Sequence, residues 1–275
     1  MMNDRYNGKA WDTHFLPRLS RLQVEQLPKE NAVVVLPVGA TEQHGPALPT
    51  YTDTLIGEGF MTETFKHLPV DSNIWLIPAL SYGKSTEHMN HPGTITLSAQ
   101  TLMAVLMDIA QSLARSGFRK LVFWNTHGGN VDLLSMMGRE IRIATGLTVL
   151  NLNTGGHIPS EGIITAEERR YGIHGGDEEA SLVMALRRHW VTDELLPCEF
   201  INFPDSPYLG FKTKAFAWVM DDVSVSGIGG DSTLATPEKG EAILARGGKI
   251  LAEALQQFAS FEMRSLIAKR EGVVQ

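Results

Sequence analysis

Glu42, His44 and Asp53 follow one apolar run, residues 32–39, and His127 follows another, residues 121–124. Carboxylates and imidazoles gathered where buried strands end are the oxygen and nitrogen ligands of a hydrolytic metal centre. In the stretch LPVGATEQHGPALP, Glu42 and His44 stand two residues apart. An extended backbone would point both side chains the same way and let them serve neighbouring ions. Asp53 opens a helical segment. A helix N-cap is the ordinary use of Asp there, but its closeness to Glu42 and His44 favours a ligand, and such a carboxylate can bridge two cations, one oxygen to each.

Three further segments carry groups of the same kind. In LVFWNTHGGN, His127 precedes Gly128 and Gly129, which let the backbone come close to a bound substrate. A phosphate cradle is the competing use of such a turn, but neither GxGxxG nor GxxxxGK[ST] occurs. In YGIHGGDEEASLVMALRRH, Glu179, Leu182, Val183 and Leu186 share one helical face, so Glu179 points inward, where a cation would account for it. Asp177 and Glu178 fall on other faces and read as solvated or structural first-turn acids. His174, just ahead of that helix, is a candidate general acid–base group. In SYGKSTEHMNHPGTITLS, Ser85 is a candidate substrate hydrogen-bonder, and Glu87 and His88 are candidates to support the ligands from behind; a plain polar loop is the alternative. His14, His67 and His189 lie in surface-like contexts and receive no role. There is no GxSxG elbow, and Cys198 has no activating neighbours in sequence, so covalent catalysis is disfavoured.

The elements that must hold these residues follow from alternation along the chain. Strand-like runs at 32–38, 74–80, 121–124 and 148–152 are short, rich in Val, Ile and Leu, and bounded by Gly, Pro, Asn or Thr. Strands covered on both faces have this character. Helical segments are expected at 54–67, 98–116 and 131–145, with Gly117 and Gly146 at C-cap positions, and again at 178–189 and 237–266, with Pro237 in a first turn. The alternation predicts a mainly parallel sheet with helices on its faces, and ligands of such sheets lie at the carboxyl ends of the strands. Residues 196–231 break into Pro, Gly and aromatic residues and are expected to be irregular, closing over a site or forming a subunit contact.

The 275 residues suit one domain, and a formal charge of -7 argues against affinity for nucleic acid or anionic membranes. A small-molecule partner is expected instead. A single cysteine excludes an internal disulfide and a cysteine-rich zinc site. No stretch reads as a signal peptide or approaches the roughly 20 apolar residues of a membrane span, so a cytoplasmic location is expected.

At these residues the chain resembles the creatininase (creatinine amidohydrolase) family. The likeness lies in PVGATEQHGPALP with Asp53 downstream, GKSTEHMNHPGTITLS, NTHGGN, HGGDEEAS and the late VSGIGGD with ATPEKG, in the family's order. It implies a three-layer α/β/α fold and a two-metal hydrolase of amide-type carbon–nitrogen bonds other than peptide bonds, often in cyclic or formamide-like small molecules. By position, Glu42 and His127 would hold one ion, His44 and a further carboxylate the other, and Asp53 would bridge them. Zn²⁺, Mn²⁺ and Fe²⁺ all suit such ligands. In creatininase itself the further carboxylate follows the loop histidine by two residues. Here that position is Gly129, and the likeness is to relatives that use a later glutamate, which aligns with Glu179, while His174 aligns with the family's catalytic histidine. The mechanism implied is attack by a metal-bridging water, with His174 passing a proton to the leaving nitrogen. Residues 153–173 lack the tryptophans of creatinine-specific members, so creatinine is not the expected substrate. Family members are commonly hexamers, and the aromatic residues between 200 and 218 are a candidate interface. The competing reading is a metal-stabilised binding or scaffold protein of the same fold, against which five protein ligands for two ions leave positions open.

Overall fold

Four parallel strands, β1 (Val33–Val38), β2 (Ile74–Leu76), β3 (Lys120–Asn125) and β4 (Thr148–Asn153), form a central sheet in the order β2-β1-β3-β4. In this computed structural model, which describes residues 6–210 and 217–268, the strands alternate with α1 (Thr52–His67), α2 (Ala99–Arg115) and α3 (Val131–Thr145). Then come α4 (Ala166–Tyr171), α5 (Asp177–Arg187), a two-residue ribbon of β5 (Cys198–Glu199) and β6 (Gly230–Asp231), and the long α6 (Pro237–Ser260). Residues 211–216 of the expected interface lie outside the described residues.

β1 is buried at all six positions because each of its faces meets a separate layer. Val33 and Val35 join Val122 and Trp124 of β3 in a core with Phe60 and Phe65 of α1, Leu182 of α5 and Leu251 and Leu255 of α6. Val34, Leu36 and Val38 join Leu121 and Phe123 in a second core with Leu102, Leu106 and Ala110 of α2 and Leu134, Met137 and Ile141 of α3. Side chains alternate across a strand, so a continuous apolar run fills both cores at once. The result is the three-layer α/β/α architecture.

Two elements are shorter than their sequence pattern predicts. β2 ends at Leu76 rather than at residue 80. Pro78 has no N–H to continue a ladder, and the chain rejoins β1 at Leu80, whose N–H donates to the Pro37 carbonyl at 2.9 Å and whose carbonyl accepts from the Gly39 N–H at 3.0 Å. α6 stops at Ser260, where the Lys120 ammonium donates to the Ala259 carbonyl at 2.6 Å and Phe261 turns extended. Gly146 does cap α3 in the left-handed conformation, with φ 77°.

His14 is buried rather than surface-like, its Nδ1 3.0 Å from the Ile74 carbonyl at the start of β2. Asp177 is likewise fully buried. It accepts from Lys239 at 2.6 Å and from Ser181 at 3.0 Å, tying α5 to α6.

The irregular stretch after α5 folds back on itself around Glu199. That carboxylate accepts from Ser224 Oγ (2.9 Å), the N–H of Val225 (2.8 Å), the N–H of Ser226 (2.7 Å) and the Ser226 hydroxyl. Burial opposes its charge, but the hydrogen bonds from Ser226, Val225 and Ser224 hold it down to about 2, against an ordinary 4.5. Because the folded value is the lower one, this stabilisation is present above about pH 4.5 and is lost as pH falls towards 2. Urea midpoints of the wild type and Glu199→Gln should therefore differ fully at pH 6, by clearly less at pH 3, and converge only as pH approaches 2. An equal gap at pH 6 and pH 3 would contradict this assignment.

Candidate metal centre

The carboxyl ends of β1 and β3 deliver their loops to one place. Glu42 and His44 come from the β1–α1 loop, Asp53 from the first turn of α1, and His127 from two residues past β3. His174 and Glu179 come from the entry to α5. Glu42, His44, Asp53, His127 and His174 are all buried, and the Glu179 side chain is the most open of the group at 27%. Asp53 is not an N-cap: Tyr51 holds that position without a side-chain cap bond.

The Asp53 carboxylate divides its two oxygens. Oδ2 lies 3.6 Å from His127 Nδ1, which is also 3.2 Å from Glu42 Oε1. Oδ1 lies 3.5 Å from His44 Nε2, which is also 3.7 Å from Glu179 Oε2. Glu179 is held by the Gly175 N–H at 2.6 Å. The donor atoms of Glu42, Asp53 and His127 lie within 4.8 Å of one another, as do those of His44, His174 and Glu179, and those of Glu42, His88 and His174.

Backbone carbonyls set which face each imidazole presents. His44 Nδ1 is 3.0 Å from the Glu42 carbonyl, His127 Nε2 is 3.0 Å from the Lys84 carbonyl, and His174 Nε2 is 2.8 Å from the Gln43 carbonyl. A carbonyl only accepts, so each of these nitrogens carries hydrogen. The opposite nitrogens therefore turn lone pairs towards the carboxylates. Both oxygens of Glu42, Oδ2 of Asp53 and Nε2 of His44 are buried without a hydrogen-bond partner. Each buried unsatisfied group costs about 1–3 kcal/mol, and more when charged. Buried carboxylate oxygens left without partners call for positive charge in their midst.

The electrostatics carry the same demand. Burial works against a charged His44, yet Asp53, Glu179 and Glu42 outweigh it and hold the imidazole at about 10. At His127 burial is likewise overcome by Glu42, Asp53 and Glu87, again to about 10. Divalent cations bound at these lone pairs would take the place of those protons, so the donor set fits a metal. His174 is driven the other way, down to about 4, by burial and by His44, and stays neutral.

The remaining expected residues divide. Glu87 stands behind His127, with Oε1 3.6 Å from Nε2 and Oε2 3.0 Å from Lys84 Nζ. His88 stacks on His174 with ring centroids 4.3 Å apart and brings Nε2 to 3.6 Å from Glu42 Oε1. Ser85, expected to meet substrate, is fully buried, with its hydroxyl 3.4 Å from the anchored Nε2 of His127, on the side away from Glu42 and Asp53. Gly129 is not open to a ligand either. A Cβ there would lie 2.0 Å from Glu87 Oε1 and 2.5 Å from the Lys84 carbonyl, so Glu87 occupies the room a side chain at 129 would need. Gly128 is exposed, with nothing within 4 Å of such a Cβ.

Two residues at this site escape a reading of spacing. Glu168 of α4 is buried among Gly172, Gly176 and Gly230, and accepts from the N–H groups of Asp177 and Asp231, each at 2.9 Å. It joins the entry of α5 to β6, next to the pairing of the Gly229 N–H with the His174 carbonyl at 2.7 Å. Paired glycines on both sides of it were the available signal. The second is Gln43, whose amide reaches His88 and the Gly227 carbonyl.

The creatinine amidohydrolase family profile matches residues 17–255. A mycofactocin precursor peptide peptidase from Mycolicibacterium smegmatis is 32% identical over 80% of this chain and 83% of its own length. A creatinine amidohydrolase from Pseudomonas putida is 30% identical over 82% of this chain and 90% of its own. A solved creatininase superposes with a TM-score of 0.71 at 28% identity, covering 91% of this chain and 100% of the other. Similar creatininase structures include a zinc–zinc form of a variant (TM-score 0.70, 26% identity, 90% and 98% covered) and a manganese form (0.72, 26%, 91% and 100%). With the profile spanning most of its length, the chain belongs to the creatininase family of hydrolases.

Proposed function

We propose that this chain is a dinuclear-metal amidohydrolase in which Glu42, Asp53 and His127 hold one divalent ion and His44, Asp53 and Glu179 hold the second. The observation that carries this reading is the set of buried polar atoms with no hydrogen-bond partner: Glu42 Oε1 and Oε2, Asp53 Oδ2 and His44 Nε2. Zinc or manganese is the expected pair, in line with the metal forms of the similar creatininases; the ligands also suit Fe²⁺. Bound divalent ions supply Lewis acidity, which polarises a carbonyl and lowers the pKa of water.

The chain's own groups do the rest. His174 faces the carboxylate cluster through Nδ1, 3.7 Å from Glu42 Oε1, and cannot rotate because Nε2 is held by the Gln43 carbonyl at 2.8 Å. It would take the proton of the attacking water at Nδ1 and pass it to the leaving nitrogen. The Glu87 carboxylate and Lys84 carbonyl keep His127 in the tautomer that turns Nδ1 inward.

The substrate is a small-molecule amide, cyclic amide or formamide. The likeness to a peptide peptidase favours a second reading, in which the scissile bond belongs to a short peptide. The same proposal takes the chain as a single-domain cytoplasmic homo-oligomer, hexameric as in the family, with no nucleic-acid or membrane partner. Among the described residues no helix is long and apolar enough to cross a membrane.

The test is a panel of cyclic amides, formamides and short peptides assayed before chelation, after it, and after return of Zn²⁺ or Mn²⁺. Hydrolysis should vanish with the metal and return with it. Two bound ions and no hydrolysis of any amide would favour the scaffold reading, and no bound metal after reconstitution would end both.

A further inference from the structure

Three of the four imidazoles at the centre are anchored by backbone carbonyls; His88 is not. Its Nδ1 lies 2.9 Å from Nε2 of Gln43, and the direction of that amide follows from its other neighbours. Gln43 Oε1 is 2.8 Å from the Gly45 N–H, and Nε2 is 2.6 Å from the Gly227 carbonyl. A backbone N–H only donates and a carbonyl only accepts, so one orientation of the amide satisfies both. Of the two amide hydrogens, one goes to Gly227 and the other is directed at His88 Nδ1. His174 Nε2, 3.3 Å from the same amide nitrogen, does not compete, because its own hydrogen goes to the Gln43 carbonyl.

Nδ1 of His88 must then be an acceptor, and the hydrogen of the neutral ring sits on Nε2, facing Glu42 Oε1 at 3.6 Å. This matters because Glu42, His88 and His174 form a third group of donor atoms within 4.8 Å of one another, compact enough to take a cation.

We infer that Gln43 is a positioning residue that acts through the tautomer of His88: it keeps the Nε2 hydrogen of His88 turned towards Glu42 and keeps a cation out of the Glu42–His88–His174 group. A cation there needs the Nε2 lone pair, which requires moving the hydrogen to Nδ1, against the amide N–H. The amide cannot turn over without losing its bonds to both Gly45 and Gly227. His174 is thereby left unligated on this side, available for proton transfer. The exclusion of a third ion rests on the proposed metal centre; the tautomer does not.

The experiment uses protein labelled with ¹⁵N in histidine, metal-free and zinc-loaded, with two-bond ¹H–¹⁵N spectra of the imidazoles and His88 assigned from the spectrum of His88→Gln. The expected result is a neutral His88 protonated at Nε2 in both states. Protonation at Nδ1, or a zinc-bound Nε2, overturns the inference. In Gln43→Glu the donor becomes an acceptor, so Nδ1 should gain the hydrogen and equilibrium dialysis should count one more zinc than in the wild type, lost again on adding His88→Ala. An unchanged zinc count in Gln43→Glu overturns the exclusion. Wild-type protein that binds no zinc would end the proposed function, while the metal-free spectrum would still decide the tautomer.

Discussion

Asp53→Ala is expected to release metal from both positions at once. Its two oxygens are divided between His127 with Glu42 and His44 with Glu179, so its loss leaves each ion one carboxylate and one imidazole, below the three protein ligands of ordinary catalytic sites. Turnover should fall further than the 10- to 100-fold that loss of an outer ligand partner typically costs. The fold should persist, because the Asp53 side chain caps no helix and burial already pushes its carboxyl up to about 6, with His44 pulling it down and Glu42 adding to the rise. Elemental analysis reads the loss directly. Thermal melts give a second readout, since a ligand at 1,000 times its Kd stabilises by about 4 kcal/mol: wild type should gain from added zinc and the variant should not. Two ions retained in Asp53→Ala would remove this residue from the bridge.

His174→Ala should do the opposite, keeping metal while losing turnover by a factor on the order of 10² to 10⁴, the usual contribution of general acid–base catalysis. The ring is held between His44 and His88, with centroids 4.2 Å and 4.3 Å away, and by its bond to the Gln43 carbonyl. Such a preset Nδ1 is what proton transfer requires. Because His174 also belongs to the donor group with His44 and Glu179, the metal content decides its part. Loss of one ion in the variant would make it a ligand, and full activity would exclude it from the mechanism.

The contrast between Asp53 and Ser85 indicates what sequence spacing can carry. Asp53, Glu42 and His44 lie at the carboxyl end of β1 and the start of the next helix, and residues so placed converge because the strand ends do. Ser85 sits in an equally polar stretch, yet faces the back of His127, since the direction of a loop side chain depends on what packs beside it. Gly129 gives the same lesson. Its neighbour Glu87 lies on another loop, two positions after Ser85, and only the folded chain shows it filling the space of the missing side chain. Pro78 lies inside the run at 74–80 and, lacking an N–H, ends the regular ladder that the apolar pattern alone would continue.

The amino-acid sequence by itself determined the order of strands and helices, the burial of the strands on two faces, and the six acid and imidazole side chains that meet at their ends, because those follow from periodicity and from local punctuation. Tertiary structure alone decided which nitrogen of His88, His127 and His174 turns inward and which carboxylate oxygens are left without a partner. Those choices are made by hydrogen bonds between residues far apart in the chain, 43 positions for His127 and Lys84, 131 for His174 and Gln43, 184 for Gln43 and Gly227. A local pattern encodes where a side chain sits; its partner is chosen only when distant backbone arrives beside it.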